Sequence, residues 1–303
     1  MLSQQVRNQI INGVTDNSLR VRKMDPQQVL SFLESEDYIV SQVRFYQSVF
    51  SDLGVDLSGK KILEIGAGCG FFLVYALRNL GWDISAIEPG EGEFAGRFEV
   101  CRTILKENGI DPDRVIRSFG ENMPLAANSF DVVLSSVVLE HVKDPQKVLE
   151  ESCWVLKPGG VLVFSVPNYR WIYEGHYNIP WFPFFSKPIA QKYVSWLGRD
   201  PKYIDHLNFL TPRKVKKIIS GVAGIELCFP LEYKSFEFIE QRVKSYLLSA
   251  KKNDQKGAFV FFIKFLHMVI SKRVCRAMLD VWAHLTGIYH EMHIVVRKKA
   301  FSV

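Results

Sequence analysis

The sequence predicts an α/β protein built on a doubly wound, mostly parallel β-sheet. Short apolar runs alternate with longer segments of helical period, which is the pattern of repeated strand–helix–strand units. The first apolar run passes directly into a glycine-rich turn and then into a helix. The last one, over 289–298, alternates between apolar and polar residues, and we expect it to be an antiparallel last strand.

Five strands and the helices between them are predicted before residue 167. Gly81 and Gly109 end two of the helices as C-terminal stop signals. The fourth strand has an apolar centre, as a strand buried on both faces should have. The predicted strands are 61–65, 83–87, 114–118, 131–135 and 161–166, the predicted helices are 71–80, 94–108 and 145–156, and a turn is expected over 157–160.

Two segments interrupt this pattern. Residues 168–208 are rich in aromatic residues and prolines, and residues 234–286 have the period of amphipathic helices. Between them we expect a helix that begins with Thr211 as its N-cap, followed by a sixth strand over 225–232. The predicted organisation is an N-terminal helical segment over 1–50 and one domain over 51–303 that carries both insertions.

The composition is that of an ordinary globular protein. The chain has 303 residues, of which 48% are hydrophobic and 23% charged, so it can bury a large core. A net charge of +6 suits an anionic substrate or a membrane surface but is too small to indicate a nucleic acid partner, which we do not expect. Five widely spaced cysteines argue against a disulfide framework, and the N-terminus shows no signal peptide, so we predict a cytoplasmic protein.

Glycines after the first strand indicate a nucleotide-cofactor loop. Gly66, Gly68 and Gly70 allow a sharp turn and the close approach of a ligand. A dinucleotide fingerprint that began at the first glycine would need glycine or alanine where Phe71 stands. Glu64, two residues before that glycine, would repel a pyrophosphate and attract a cofactor that bears an ammonium group.

A second acid, Glu88, ends the second strand about 20 residues later, where a carboxylate can accept hydrogen bonds from both ribose hydroxyls. The alternative is that Glu64 and Glu88 are solvated acids at strand ends and that the glycines only form a turn. The strand–turn–helix context favours the cofactor site.

Four stretches resemble motifs of the class I, Rossmann-like, S-adenosylmethionine-dependent methyltransferases. Glu-Ile-Gly-Ala-Gly-Cys-Gly at 64–70 is similar to the family's first motif, and residues 121–142 resemble its block after the third strand. Residues 157–167 resemble the segment leading into its fifth strand. Residues 206–212 are similar to a segment of the subgroup that includes quinone-biosynthesis enzymes. The resemblance covers about residues 55–230 and implies S-adenosylmethionine as the cofactor.

The resemblance also implies which residues bind the cofactor. The glycines would line its methionine part, Glu88 would bind the ribose and segment 120–123 would border the adenine. Many relatives carry an aspartate at the position of Phe119. A phenylalanine ring can only stack on the adenine, so the polar contacts to adenine would come from the backbone and Glu121. The full implied set is Glu64, Gly66, Ala67, Gly68, Gly70, Glu88, Pro89, Gly120, Glu121, Asn122, Met123, Ser135 and Ser136.

Methyl transfer from a sulfonium mainly requires the acceptor to be held in line with the S–CH₃ bond. A general base is needed only when the acceptor must lose a proton, and histidine is the usual choice. His206, His141 and His176 are the candidates, each with a structural hydrogen-bonding role as its alternative. No group of residues has metal-ligand spacing along the chain, so we predict no metal site.

The insertion at 168–208 must start at the carboxyl edge of the sheet, where ligands bind in open α/β folds. Its aromatic residues could form a lid or acceptor pocket, or a satellite core. In the second insertion, the apolar stretch 258–270 has basic ends, and it could contact a membrane interface, pack on the lid or form a dimer contact.

We expect O-methylation of a small metabolite. A sugar or glycolipid acceptor comes first, because the segment 168–215 resembles methyltransferases of surface-polysaccharide pathways. A quinone or other lipid at a membrane surface comes second. A non-catalytic binding subunit with the same fold is the third hypothesis, and the complete glycine loop with Glu88 argues against it. The sequence leaves the oligomeric state open.

Overall fold

Seven strands form the central sheet in this computed structural model, which describes residues 3–13, 21, 28, 30–31, 35–235, 281 and 283–300. The strands of this sheet are β1 (Lys61–Ile65), β2 (Asp83–Ile87), β3 (Val115–Ile116), β4 (Phe130–Ser136), β5 (Leu156–Pro167), β8 (Ile225–Leu227) and β9 (Glu291–Lys298). Two further strands, β6 (Tyr173–Glu174) and β7 (Ile179–Pro180), form a separate hairpin.

The strand order in space is β3-β2-β1-β4-β5-β9-β8. Pairing is parallel from β3 through β5, whereas β9 lies antiparallel between β5 and β8. The predicted doubly wound, mostly parallel, Rossmann-like sheet with an antiparallel last strand is confirmed. The chain leaves β1 towards β2 and later returns to β4 on its other side, so a crevice forms at the carboxyl ends of β1 and β4.

Helices flank the sheet, and several of them begin at side-chain caps. The side chain of Asp144 accepts hydrogen bonds from the backbone N–H groups of Gln146 and Lys147, and Thr211 caps the helix after the first insertion, as predicted. The helices are α1 (Gln4–Gly13), α2 (Glu36–Asp52), α3 (Phe71–Asn79), α4 (Arg97–Glu107), α5 (Pro145–Val155), α6 (Lys187–Trp196) and α7 (Pro212–Ser220), with 3₁₀ turns at Gly92–Phe94, Pro112–Arg114 and Pro201–His206.

Two hydrophobic cores cover the two faces of the sheet. Because side chains alternate along a strand, Ile62 belongs to the core under α2, α3 and α4, and its neighbour Leu63 to the core under α5 and α7. Helix α2 packs Tyr46 and Phe50 into the first of these cores. The predicted domain boundary at residue 50 therefore falls inside a helix that is packed on the sheet.

Three predicted elements differ from the observed ones. The third strand has only two residues, and it begins directly after a 3₁₀ turn at Pro112–Arg114 that Asp111 caps. The expected turn at 157–160 lies within β5, where the register with β4 shifts and Gly159 has a φ of 78°. The sixth strand is limited to Ile225–Leu227.

The first insertion has its own small core. Its hairpin, α6 and last 3₁₀ turn bury Tyr169, Tyr177 and Trp181, and the ring of Tyr169 stacks on Phe209 at 4.6 Å. This is the satellite core of the sequence analysis. Most of the second insertion, including the apolar stretch 258–270 with its basic ends, lies outside the described residues. Within the described ranges no helix is long and apolar enough to cross a membrane.

Candidate active site

A cavity of about 740 Å³ lies at the carboxyl ends of β1, β2 and β4. Its size falls within the range of small-molecule and cofactor sites. Of the predicted residues, Glu64, Gly66, Ala67, Gly68, Gly70, Glu88, Pro89, Gly120, Glu121, Ser136, His141, His176 and His206 line it. The cofactor loop and all three candidate histidines therefore share one cavity.

Two positions of the glycine loop leave no room for a side chain in the observed conformation. Gly66 has a φ of 81°, and a Cβ there would lie 2.5 Å from Cγ2 of Val138. Gly70 has a φ of 85°, and a Cβ there would lie 2.5 Å from Sγ of Cys101. A Cβ on Gly68 would meet no atom within 4 Å, which shows that this part of the loop faces open space.

Glu88 holds the glycine loop in place. Its Oε2 accepts a hydrogen bond of 2.8 Å from the backbone N–H of Gly68, and its Oε1 accepts a longer one of 3.4 Å from Gly90. Burial raises the pKa of Glu88, while the nearby positive charge of Arg97 opposes that increase. The carboxylate keeps further acceptor capacity, and its binding of a ribose stays a prediction.

Glu64 is a buried acid with an unsatisfied oxygen. Its Oε2 has no hydrogen-bond partner in the protein, and the residue lines the cavity. Burial, together with repulsion from Glu88, raises the pKa of Glu64 to about 8. An unpartnered carboxyl is costly to bury unless a ligand completes it. The ammonium group of S-adenosylmethionine fits this position.

The residues predicted to border the adenine are only partly placed as expected. Phe119 lines the cavity and is 44% exposed, so its ring is available for stacking. The Glu121 carboxylate accepts hydrogen bonds from the backbone N–H groups of Lys143 and Asp144, at 2.8 and 3.5 Å. The Glu121 carboxylate therefore uses part of its acceptor capacity on the backbone of Lys143 and Asp144. Ser118, which the sequence analysis missed, also lines the cavity.

Three residues of the predicted cofactor set do not line the cavity. Asn122 lies in the turn, where its N–H donates to the carbonyl of Phe119, and Met123 is buried with its N–H bonded to Glu151. Ser135 is buried too, and its hydroxyl donates to the carbonyl of Ile65 at 3.0 Å. Ser135 thus joins β4 to β1 rather than facing the cavity.

Strain marks the end of β4. Val137, which lines the cavity beside Ser136, has a φ of 59°, and this is an unusual backbone conformation for a β-branched residue. Its N–H donates to the carbonyl of Ser165 on β5, which helps to hold the conformation. Such strain concentrates at functional sites.

Two of the candidate histidines face each other. Nε2 of His141 lies 3.2 Å from Nε2 of His176, and Nδ1 of His176 lies 2.6 Å from an oxygen of Glu174. Burial, and next the neighbouring charge of His176, hold the pKa of His141 well below its ordinary value. The third candidate, His206, lies exposed at the end of the last 3₁₀ turn.

Glu140 lies directly beneath the histidine pair. It is fully buried, and neither of its carboxylate oxygens has a hydrogen-bond partner in the protein. Burial raises the pKa of Glu140 well above its ordinary value. The prediction of no metal site rested on spacing along the chain, whereas folding brings together three potential ligands, of which His141 and His176 are 35 residues apart.

Asn208 is a site residue that lies within the motif at 206–212 but is not among the predicted cofactor or catalytic residues. Its side-chain amide donates to the carbonyls of Val142 and Leu139, at 2.6 and 3.3 Å, and its N–H donates to the carbonyl of Glu140. It therefore fastens the end of the first insertion to the loop after β4. Tyr203, also absent from the predicted set, lines the cavity and packs near both half-buried histidines.

Comparison with known proteins gives a family match and several relatives. A model of the methyltransferase domain family matches residues 40–222 of the chain. An uncharacterized protein of Mycobacterium tuberculosis is 32% identical over 199 residues, which cover 63% of this chain and 66% of that protein. A ubiquinone biosynthesis O-methyltransferase of Stutzerimonas stutzeri is 32% identical over 135 residues, 45% of this chain and 56% of that enzyme. The matched part of the chain thus spans just under two thirds and just over half of their lengths.

One solved structure supports the fold. Phosphoethanolamine N-methyltransferase 2 of Haemonchus contortus, in complex with phosphomonomethylethanolamine and S-adenosylhomocysteine, aligns with a TM-score of 0.52 at 15% identity. The alignment covers 89% of this chain and 58% of that one. At this identity the likeness concerns the Rossmann-like architecture alone.

Proposed function

Because this chain belongs to the methyltransferase domain family, we propose that it is an S-adenosylmethionine-dependent enzyme that methylates a hydroxyl group of a small acceptor. The observation that carries the proposal is the single cavity that joins the glycine loop and its two acids to a group of histidines. A cavity with the cofactor loop at one end but no histidines at the other would suit a non-catalytic binding subunit equally well.

The chain's own residues account for cofactor binding at one end of the cavity. Glu64 offers an unpaired carboxyl oxygen to an ammonium group, Glu88 offers oxygens to ribose hydroxyls, and Phe119 offers a ring face to adenine. S-adenosylmethionine, when bound, supplies a methyl group that its sulfonium makes electrophilic. The protein therefore has to position the acceptor more than to activate the donor.

His206 is the residue that we assign to proton removal. The acceptor hydroxyl gains the methyl group as its O–C bond forms and the S–C bond breaks, and its proton passes to the His206 imidazole. His206 lines the cavity and is exposed, so it can pass the proton on to solvent. His141 and His176 already contact each other and are less available for this task.

A sugar-type acceptor is our first candidate. The walls near His206 combine an aromatic ring, Tyr203, with the polar side chains of Asp205 and Asn208. An aromatic face with a few polar groups can hold and orient a ring that bears several hydroxyls. A quinol-type acceptor is the second candidate, and the similarity to a ubiquinone biosynthesis O-methyltransferase supports it.

Formation of S-adenosylhomocysteine with panels of sugar and phenolic acceptors tests this function. Once an acceptor is found, His206→Ala should lower kcat by about 10²- to 10⁴-fold, the usual contribution of a general base, with cofactor affinity unchanged. The matched control is His284→Ala, since His284 lies outside the cavity in an exposed pair with Glu232.

Near-normal turnover by His206→Ala would show that proximity alone suffices, and the assignment of the base would then be wrong. Tight cofactor binding without transfer to any acceptor in either panel would favour the non-catalytic binding subunit.

A further inference from the structure

We propose that Glu140, His141 and His176 bind a divalent transition-metal ion at the inner end of the cavity. One ligand atom from each residue lies within 4.8 Å of the others. Two imidazole nitrogens and one carboxylate oxygen form a donor set typical of zinc and of non-haem iron sites.

The distances among the three ligand atoms match the size of such an ion. Nε2 of His141 and Nε2 of His176 are 3.2 Å apart, and they lie 3.8 and 4.0 Å from the same Oε1 of Glu140. A point equidistant from these atoms lies about 2.1 Å from each, which is the length of a Zn–N or Zn–O bond. The spacing of the three atoms is thus close to that of ligands around such an ion.

The burial of Glu140 is difficult to explain without a ligand. The residue is 0% exposed, and both carboxylate oxygens lack a partner in the protein. An unpaired carboxyl in the interior costs free energy whether it is charged or neutral, because water would otherwise solvate it. A cation at the equidistant point would give Glu140 a counter-charge and a bond.

Glu174 has the place of an outer residue that orients a metal-binding histidine. One of its oxygens lies 2.6 Å from Nδ1 of His176, and the other accepts a 2.7 Å hydrogen bond from the N–H of Tyr177. A carboxylate at Nδ1 fixes the proton there and leaves the Nε2 lone pair for the ion. This arrangement of carboxylate, histidine and metal recurs in zinc sites.

The ion would have open positions on the cavity side. His141 and His176 line the cavity with side chains 10% and 12% exposed, whereas Glu140 closes the buried side. If the proposed function holds, an acceptor hydroxyl could occupy an open position, where the ion would orient its oxygen and lower its pKa. Metal binding itself does not depend on that function.

The alternative is a direct hydrogen bond between the two imidazoles above a neutral Glu140. That arrangement satisfies the Nε2 atoms of both imidazoles, one as donor and one as acceptor, but leaves both oxygens of Glu140 and Nδ1 of His141 unpartnered. The two explanations differ in one measurable respect, which is stoichiometric metal binding that depends on His176.

The test is titration of the full chain, after treatment with a chelator, with Zn²⁺ by calorimetry and with Co²⁺ by visible absorption. We expect one site per chain and the d–d bands of a cobalt ion bound to imidazole and carboxylate. Glu174→Gln should weaken Co²⁺ binding by about 10- to 100-fold, as substitutions of such outer residues do. His176→Ala and Glu140→Gln should weaken it further, and the control His284→Ala should leave it unchanged.

The same samples are titrated with S-adenosylmethionine to verify the fold of each variant. Absence of a stoichiometric site, or equal Co²⁺ binding by the wild-type protein and by a His176→Ala variant that still binds the cofactor, would overturn the metal proposal and leave the methyltransferase proposal intact. Metal binding without any cofactor binding would do the reverse.

Discussion

At the scale of single residues, two buried acids are the distinctive feature of the cavity. Glu64 and Glu88 are buried at adjacent strand ends, and Glu64 has an oxygen without a partner. Leaving such groups buried costs stability, so their presence indicates a ligand that supplies hydrogen-bond donors and positive charge. S-adenosylmethionine supplies ribose hydroxyls and an ammonium group.

Glu64 leads to a prediction about protons. With its pKa raised to about 8 by burial and by Glu88, Glu64 is mostly protonated at pH 7 in the free protein. A bound ammonium group stabilises the carboxylate and lowers this pKa, so binding of S-adenosylmethionine at pH 7 should release about one proton. Calorimetry in buffers of different ionisation enthalpy measures the number released.

Glu64→Gln is the control, because glutamine keeps the shape of the side chain but cannot titrate. We expect proton release to disappear in this variant while binding weakens. Equal proton release by the wild-type and variant proteins would show that another group titrates and that Glu64 does not meet the ammonium.

Residue-level prediction from the sequence succeeded where a residue's place in a strand or turn determines its direction. The glycine loop and both acids line the cavity as expected. Ser135 and Ser136 were predicted together, but consecutive strand residues point to opposite sides, so only Ser136 lines the cavity. The alternation of side chains could have separated them, had the register with Ile65 been known.

At the scale of elements, the loop between β1 and α3 depends on glycine for two distinct reasons. Gly66 combines a positive φ with a Cβ position only 2.5 Å from Val138. Gly59, in the turn before β1, has a similar φ of 66° but open space around its Cβ position. A substitution at Gly59 therefore introduces backbone strain alone, whereas one at Gly66 introduces both strain and steric overlap.

Gly59→Ala should destabilise the protein by about 1–2 kcal/mol, the cost of a left-handed conformation for alanine. Gly66→Ala should cost more and should also weaken cofactor binding, because the loop must move away from Val138. Denaturant unfolding and cofactor titration measure both effects. Val138→Ala in the Gly66→Ala background should restore part of the loss, and equal destabilisation by the two single variants would contradict the steric argument.

The sequence predicts strands better than it predicts the turns that shorten them. The bounds of β1 and β2 are as predicted, because each is a buried apolar run that ends at the cofactor loop or at Glu88. The third strand loses Arg114 to a 3₁₀ turn, and the turn predicted at 157–160 is absorbed into β5 as an irregularity. The irregularity in β5 depends on pairing with β4, which local patterns do not specify, whereas the 3₁₀ turn has a local signal in its Asp111 cap and Pro112.

The first insertion combines two of the roles considered for it. Its aromatic residues form a satellite core, while His176, Tyr203 and His206 line the cavity. The meeting of His176 with His141 joins a hairpin to the loop after β4. Such a contact depends on how the insertion packs, so spacing along the chain could not reveal it.

At the scale of the whole molecule, the topology places these groups together. The crevice between β1 and β4 receives the glycine loop, the acid at the end of β2 and the insertion that follows β5. The sequence predicts this architecture because the alternation of strands and helices admits few connections. The identity of the acceptor depends on the shape of the insertion, and we propose it from the structure.

The central claim is that this crevice binds S-adenosylmethionine, and titration calorimetry tests it most directly. The account predicts that the protein binds S-adenosylmethionine at one site per chain, does not bind NAD, and loses at least about tenfold in cofactor affinity in Glu88→Ala, because hydrogen bonds to a charged group each contribute about 1.5–3 kcal/mol. A folded protein that binds no S-adenosylmethionine, or a Glu88→Ala variant with unchanged affinity, would contradict it.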